Sequence, residues 1–183
     1  MKIISAFKAA DISAFKFINI TLYNKPLSYL MRFTANDVFL IIVLAAGLYV
    51  LARNFGKKEK VNTAFALWSI IAANVLSNNL LKELFKRPRP YLEVSGANLM
   101  VIMRKNGYAF PSTHTAMAAA IAAALWDDYK EARPYLTAFV FFVGFFCVYT
   151  GGHYPSDVIA GLAVGIATGR AMNFMKKEYL IKN

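Results

Sequence analysis

This 183-residue sequence contains one cysteine, two histidines and few charged residues. Charged residues make up 17% of the chain, whereas about 25% is usual for a soluble protein. The single Cys147 excludes an intrachain disulfide, and the lack of CxxC motifs and of cysteine–histidine clusters argues against a zinc site. The low charge, combined with 58% hydrophobic residues in long blocks, predicts an integral membrane protein with a single domain.

Acidic residues are scarcer than basic ones: the sequence has ten Asp and Glu against 21 Lys and Arg, for a formal net charge of +11. In a soluble protein this charge would favour a nucleic-acid partner. Here the basic residues cluster at the ends of apolar stretches, where anionic headgroups or phosphate groups would meet them. We therefore expect the lipid bilayer, and no nucleic acid, as a partner. The sequence predicts no oligomeric state.

Five apolar stretches predict membrane-spanning helices, since a helix of about 20 residues crosses the hydrocarbon core of a bilayer. The stretches are residues 38–52, 61–81, 112–126, 134–150 and 158–175. In the last of them Gly161, Gly165 and Gly169 lie four residues apart, which is typical of close helix packing.

Residues 1–24 mix apolar residues with lysines. This mixture predicts an amphipathic helix that lies in the membrane interface, and a sixth, partial span is the alternative. The predicted fold is therefore all-α, a polytopic membrane helix bundle of five spanning helices plus an N-terminal interfacial helix. Residues 1–183 form a single domain, in which residues 1–35 are the interfacial segment and residues 36–176 are the helix bundle that carries the site.

Three clusters of polar residues lie at the ends of predicted spans: residues 82–90, 111–114 and 152–157. Both histidines of the chain, His114 and His153, belong to these clusters. Two membrane crossings separate the first two clusters from the third, so all three are expected to face the same compartment. Cations and imidazoles gathered at a membrane boundary predict a site that processes an anion.

His153 and Asp157 lie four positions apart at the predicted start of the last helix. At this spacing the carboxylate can accept a hydrogen bond from the imidazole, fix its tautomer and stabilise the imidazolium. The alternative is that Asp157 caps the helix beside an unrelated interfacial histidine.

Ser112 or Thr113 is the predicted N-cap of the alanine-rich third span. The N-terminus of a helix favours anions, and His114 in the first turn can donate a proton to a leaving oxygen. Lys82 and Arg89 supply cations of the kind that bind phosphate. The alternatives are ordinary capping for the serine and threonine, and a lipid-headgroup anchor for the basic run.

Lys-x6-Arg-Pro at residues 82–90, Pro-Ser-x-His at residues 111–114 and His-x3-Asp at residues 153–157 together resemble the three-part signature of the type 2 phosphatidic acid phosphatase superfamily. The resemblance covers roughly residues 35–175. It implies a helical membrane enzyme that hydrolyses lipid phosphates through a phosphohistidine intermediate, without a metal ion or another cofactor.

The resemblance also implies a role for each matching residue. The catalytic residues are then His153 as the nucleophile, His114 as the general acid and Asp157 as the partner that orients His153. The residues that bind the substrate phosphate, together with adjacent backbone N–H groups, are Lys82, Arg89, Ser112 and Thr113.

The sequence departs from the family pattern at Phe146 and Cys147, where the third motif normally has Ser and Arg. One phosphate-binding guanidinium is therefore missing, and the residues considered as substitutes are Lys86, Arg87 and Arg104. The missing arginine leaves open an alternative function, that of a lipid-phosphate-binding protein or inactive scaffold.

The expected function is that of a metal-independent phosphatase acting on a membrane lipid such as phosphatidylglycerol phosphate, phosphatidic acid, undecaprenyl diphosphate or lipid A. The small size and short loops favour a bacterial cytoplasmic (inner) membrane. Lys and Arg number ten on one predicted membrane face and eleven on the other, or seven there without the four cations of residues 82–89. By the positive-inside rule, the face with ten is cytoplasmic and the site faces the periplasm or the outside.

Overall fold

The computed structural model describes residues 2–34, 56–100 and 107–182. The apolar stretches within these ranges form helices. All regular elements in these ranges are helical, which confirms the all-α prediction. In chain order the helices are α1 (Lys2–Lys16), α2 (Lys25–Thr34), α3 (Lys57–Val75), α4 (Pro90–Glu93), α5 (Thr113–Leu125), α6 (Arg133–Tyr149) and α7 (Pro155–Lys182).

Two of these helices continue beyond their α-helical part. A π-helical turn, Phe17–Thr21, extends α1. A π-helical stretch, Leu76–Leu81, and a last α-helical turn, Lys82–Phe85, extend α3 toward the first polar cluster. The loop after α3 therefore starts at the same end of the bundle as α5.

Three segments of the described chain are long and apolar enough to cross a membrane: Lys57–Glu93, Lys130–Tyr149 and Pro155–Lys182. They contain the second, fourth and fifth predicted spans. The third predicted span is α5, whose 13 residues rise only about 20 Å against the ~30 Å of a hydrocarbon core. The first, residues 38–52, lies outside the described residues. The chain is a multi-pass membrane protein, and three of the four predicted spans that lie in its described part are of spanning length.

The shorter helix α5 lies in the centre of the bundle, where its small side chains let the neighbouring helices approach closely. Nine of its 13 residues are buried, and seven of the nine are alanines. Helix α7 packs on it at Gly161, Gly165 and Gly169, all buried. A Cβ at any of the three would collide with a backbone carbonyl oxygen of the α5 segment. This confirms the predicted packing role, and it brings the start of α7 against the start of α5.

Helix α1 docks on the bundle through a face that the amphipathic pattern did not predict. Asp11, Phe15 and the following Asn19 are buried, with 7%, 0% and 0% of their surface exposed. The apolar Ile3 and Phe7 are instead 86% and 63% exposed. In a membrane this arrangement is favourable, because lipid accepts apolar side chains while polar ones must find partners within the protein. The N-terminal helix therefore buries Asp11 and the following Asn19 within the protein.

An apolar groove of about 560 Å³ lies between α5, α6 and α7. Its lining runs from Thr115 and Pro155 at one end to Trp126 and Arg170 at the other. None of the seven predicted site residues lines this groove. We therefore assign it to the lipid-facing surface of the bundle and not to the polar site.

Candidate active site

The three polar clusters meet at one end of the bundle, as the count of crossings predicted. Backbone hydrogen bonds join segments that are far apart in sequence. The Ala109 N–H donates to the Arg87 carbonyl at 2.7 Å, and the Ser112 N–H donates to the Asp157 carbonyl at 2.9 Å. These bonds fix the loop after α3, the start of α5 and the start of α7 against one another.

The Arg-Pro-Arg-Pro loop places Arg89 inside this cluster. Lys86 ends the helix in a left-handed conformation with φ 46°, and Arg89 is extended, as expected for a residue before proline. The Arg89 side chain is buried and crosses between two loops. Its Nε donates to the Gly107 carbonyl and its Nη1 to the Gly152 carbonyl, both at 3.1 Å. Its guanidinium is charged at any physiological pH.

His153 is held in one tautomer by a backbone carbonyl. Its Nδ1 lies 2.7 Å from the carbonyl oxygen of Ala109. Because a carbonyl oxygen only accepts hydrogen bonds, Nδ1 must carry the hydrogen, and Nε2 then carries the lone pair. Burial lowers the pKa of His153 more than the nearby Asp157 raises it, and the positive charges of Arg89 and Lys82 lower it further. The imidazole is therefore neutral at neutral pH, with Nε2 available as a nucleophile.

Asp157 does not make the predicted hydrogen bond to His153. Its Oδ2 lies 3.8 Å from the His153 Nδ1, which is beyond hydrogen-bond distance. Oδ2 instead accepts the Tyr154 N–H at 2.8 Å, and Oδ1 accepts Nη1 of Arg87 at 2.6 Å. The Ala109 carbonyl has taken the hydrogen-bonding role expected of Asp157. At 3.8 Å the carboxylate still stabilises a positively charged imidazole through its charge.

Lys82 and Thr113 both donate to the side-chain amide of Asn78, which was not among the predicted site residues. The Asn78 Oδ1 accepts the Lys82 Nζ at 2.8 Å and the Thr113 hydroxyl at 2.9 Å. Asn78 in turn donates to Asn74, one turn earlier on α3. The ammonium group is thereby fixed near the start of α5, where it acts on His153 electrostatically.

Ser112 is the N-cap of α5, as predicted, and it is fully buried. Its hydroxyl lies 3.5 Å from the Thr115 N–H and 3.0 Å from the Thr115 hydroxyl. His114 follows as the second residue of the helix and is half-buried. The cap places His114 at the positive end of the helix dipole, which favours a bound anion.

Cys147 is buried directly beneath this site. Its carbonyl accepts the His153 N–H at 3.2 Å, and its sulfur lies 4.0 Å from the Thr115 hydroxyl. Of the three cations considered as substitutes for the missing arginine, Arg87 is bound to the carboxylates of Asp11 and Asp157, both at 2.6 Å. It therefore serves as an ion-pair partner and does not replace the missing phosphate ligand. Lys86 is exposed, and residue 104 lies outside the described residues.

Three groups of the site were not predicted from the sequence: Asp11, Asn78 and the Ala109 carbonyl. Asn78 carried a signal, because it lies four residues before Lys82 on the same helix face. Asp11 carried another, because an acid within an apolar N-terminal segment needs a partner. The Ala109 carbonyl carried none, since any residue presents one.

The arrangement suits a tetrahedral anion. Lys82, Arg89 and His153 come together beside the N-terminus of α5, whose first turn carries His114. The described residues contain no group of three or more potential metal-binding side chains. Lys82 and Arg89 can bind anionic oxygens, Nε2 of His153 can attack the central atom, and His114 can protonate a departing oxygen.

Known proteins share the sequence pattern and the fold of this chain. The model of the PAP2 superfamily matches residues 62–179, a range that contains the seven predicted site residues. The bacitracin transport permease protein BcrC of Bacillus licheniformis is 25% identical over 162 residues, which cover 88% of this chain and 78% of that protein. A lipid A 4'-phosphatase of Bacteroides thetaiotaomicron is 31% identical over 146 residues, which cover 75% of this chain and 64% of that protein. The crystal structure of Aquifex aeolicus LpxE matches with a TM-score of 0.69 and 27% identity, covering 90% of this chain and 93% of LpxE.

Proposed function

Because this chain belongs to the PAP2 superfamily, we propose that it is a metal-independent membrane phosphatase that hydrolyses a lipid phosphate or the terminal phosphate of a lipid diphosphate. The observation that carries the proposal is the tautomer of His153. Its Nδ1 is committed to the Ala109 carbonyl, so Nε2 is left as a nucleophile beside Arg89. We further propose that the site faces the outside of a bacterial cytoplasmic membrane, where a lipid phosphate reaches it from the outer leaflet.

In the first step of the proposed reaction, Lys82 and Arg89 bind the phosphate oxygens. Nε2 of His153 attacks phosphorus, and the bond between phosphorus and the oxygen of the lipid breaks. His114 donates its proton to that oxygen, so the lipid leaves as an alcohol or as a monophosphate. The ring of His153 then carries both the phosphoryl group and the hydrogen on Nδ1, and is positively charged. Asp157 stabilises this charge from 3.8 Å.

In the second step a water molecule attacks the phosphoryl group. His114, now neutral, accepts the proton of the water, and the bond between Nε2 and phosphorus breaks. Inorganic phosphate leaves and His153 returns to its neutral tautomer. No metal ion is required, because two cations and the helix N-terminus balance the charge on the phosphate.

The position of Cys147 favours a second candidate function, a protein that binds lipid phosphates without hydrolysing them. The family's third motif has a guanidinium at this position, and removing one donor to a developing oxyanion costs about 2.7–4 kcal/mol elsewhere. Against this alternative, both histidines and two of the cations are retained, so the groups that make and break bonds are all present.

Phosphate release by the purified full-length protein in detergent tests the proposed function. The substrates tested are lipid A, undecaprenyl diphosphate, phosphatidylglycerol phosphate and phosphatidic acid. Lipid A is included because the Bacteroides relative is named for it, and the others because the proposed site residues contact only the phosphate group. We expect release from at least one lipid, unchanged by EDTA and inhibited by vanadate. Binding of these lipids without release, in this protein and in Cys147→Arg, would support the binding function. Release that EDTA stops and Mg²⁺ restores would contradict the metal-independent mechanism.

Replacing Asn78 by leucine should weaken the phosphate site. The substitution preserves size but removes the oxygen that holds Lys82 and Thr113. Since a hydrogen bond to a charged group contributes about 1.5–3 kcal/mol, we expect kcat/KM to fall by roughly tenfold or more. Steady-state kinetics on the best of the tested lipids measures this. Asn79→Leu is the matched control, because Asn79 is the next residue and is also exposed, but it holds neither Lys82 nor Thr113. Equal losses in the two variants would refute the specific role of Asn78.

A further inference from the structure

Asp11 is a buried carboxylate that the proposed mechanism does not use. Its Oδ2 accepts Nη2 of Arg87 and the hydroxyl of Ser156, both at 2.6 Å, and its Oδ1 accepts the Ser156 N–H at 3.0 Å. It is the only acidic residue among the first 36 of the chain, and it precedes residues 62–179, which match the family model. Helix α1 thus adds a negative charge to the site from outside the family's matched region.

Arg87 connects this charge to the proposed nucleophile. The same guanidinium that binds Asp11 donates through Nη1 to Asp157 Oδ1 at 2.6 Å, and its Cζ lies 4.0 Å from the centre of the Tyr154 ring. Asp157 is fully buried and lies 3.8 Å from Nδ1 of His153. A continuous row of charges therefore runs from Asp11 through Arg87 and Asp157 to the imidazole.

The row has a net charge only because Asp11 is part of it. Arg87 and Asp157 alone would cancel, whereas the three groups together carry one negative charge beside His153. The His153 ring becomes positively charged when it accepts the phosphoryl group. Arg89, Lys82 and His114 face the site as cationic or protonatable groups, and Cys147 lies beneath it. The net negative charge of the row therefore offsets part of the positive charge around His153.

We propose that Asp11 is a positioning residue of the active site, which through Arg87 holds Asp157 beside His153 and supplies the negative charge that stabilises the phosphorylated ring. This inference rests on the proposed function. In this proposal α1 contributes a side chain to the active site, in addition to any role as a membrane anchor.

Asn19 provides the control, because it docks the same helix without a charge. Its Nδ2 donates to the Tyr149 carbonyl at 2.7 Å and to the Asn98 carbonyl at 2.9 Å, while its Oδ1 accepts the Asn98 N–H at 2.7 Å. If Asp11 served only to dock α1, Asp11→Asn and Asn19→Ala would have the same kinds of effect.

Kinetics of the full-length protein is the first test. Asp11→Asn keeps the size of the side chain but removes its charge, and we expect kcat to fall by about tenfold with little change in KM. Asp11→Glu should recover part of the loss. Asn19→Ala should lower thermal stability at least as much as Asp11→Asn while leaving kcat within about twofold. A wild-type kcat in Asp11→Asn, or an equal loss in Asn19→Ala, would overturn the proposal.

Titration of His153 is the second test, and it does not depend on turnover. The chain has only two histidines, so histidine-labelled protein gives two imidazole signals in NMR, and His114→Asn assigns them. Removing a nearby negative charge destabilises the imidazolium, so Asp11→Asn should lower the pKa of His153 by on the order of half a unit. Arg87→Gln should raise it, and Asn19→Ala should leave it unchanged.

Kinetics and the NMR titration together distinguish failure of the proposed charge row from failure of the proposed function. The same His153 titration in wild type, Asp11→Asn and Arg87→Gln would overturn the charge row, whatever lipid is hydrolysed. The expected shifts in a protein that releases no phosphate would support the row and refute the proposed function.

Discussion

His153→Asn is expected to abolish phosphate release from the lipid substrate, because it removes the nitrogen that attacks phosphorus in the proposed mechanism. Loss of the nucleophile of a hydrolase costs about a millionfold in kcat, so the remaining rate should equal the background. Asparagine is the informative replacement, since its side-chain amide can still donate to the Ala109 carbonyl that now accepts from Nδ1. Phosphate release under saturating lipid measures the loss.

Two controls show whether this loss is chemical. The thermal unfolding midpoint of His153→Asn should stay close to that of the wild type, because the hydrogen bond across the two loops is retained. Wild-type protein quenched during turnover of a radiolabelled lipid should carry label that is stable in alkali and released by acid, as a phosphohistidine is, and His153→Asn should carry none. Turnover by His153→Asn at more than a trace of the wild-type rate would rule out the covalent mechanism.

The sequence was sufficient to predict the elements of this site that depend on local rules. Ser112 caps α5 because serine before an alanine-rich run satisfies a free N–H of the first turn. Gly161, Gly165 and Gly169 lie on one face of α7 because their spacing approximates one helical turn, and α5 packs against that face. The spacing of motifs across two membrane crossings was enough to bring both histidine segments to one end of the bundle.

The partner of His153 was not predictable from spacing. A gap of four residues suggests a hydrogen bond within one helical turn, but His153 precedes the first residue of α7, so its side chain does not lie above Asp157 on a helix. Instead the imidazole donates to a carbonyl 44 residues earlier in the chain. A backbone acceptor leaves no trace in the sequence, so only the folded loops reveal which group holds the tautomer.

Arg87 shows a second limit of sequence reasoning. Within a run of four cations, Lys82, Lys86, Arg87 and Arg89, the sequence does not distinguish a ligand for phosphate from a partner for carboxylates. The fold makes the difference, because it packs different segments of the chain against each arginine. Arg89 is buried between the loops of the site, and Arg87 faces Asp11 and Asp157.

The different roles of Arg87 and Arg89 determine what the absence of an arginine at Cys147 means for the site. With Arg87 bound to two carboxylates, Arg89 and Lys82 are the cations that the described residues place around His153. A site with one guanidinium fewer should bind the phosphate less tightly in the transition state. The small, buried cysteine also leaves the Thr115 hydroxyl and the cap at Ser112 undisturbed.

His114→Asn is expected to reduce hydrolysis of the lipid phosphate by about 10²–10⁴-fold, because general acid catalysis contributes that much when the leaving group needs a proton. The loss should depend on the leaving group. A lipid alkoxide is a strong base and must be protonated as the bond breaks, whereas 4-nitrophenolate is stable at neutral pH and leaves unaided. Rapid-mixing kinetics separates the two steps, because the first turnover reports phosphorylation of His153 and the later ones report attack by water.

With 4-nitrophenyl phosphate, His114→Asn should therefore release a burst of nitrophenolate at a rate within about tenfold of the wild type, followed by slow turnover. The burst survives because phosphorylation no longer needs the acid, and the slow phase follows because water has lost its base. With the lipid, the same variant should show no burst, and His153→Asn should show none with either substrate. If His114→Asn lost the burst equally with both substrates, His114 would instead be a residue that binds phosphate, since binding does not distinguish leaving groups.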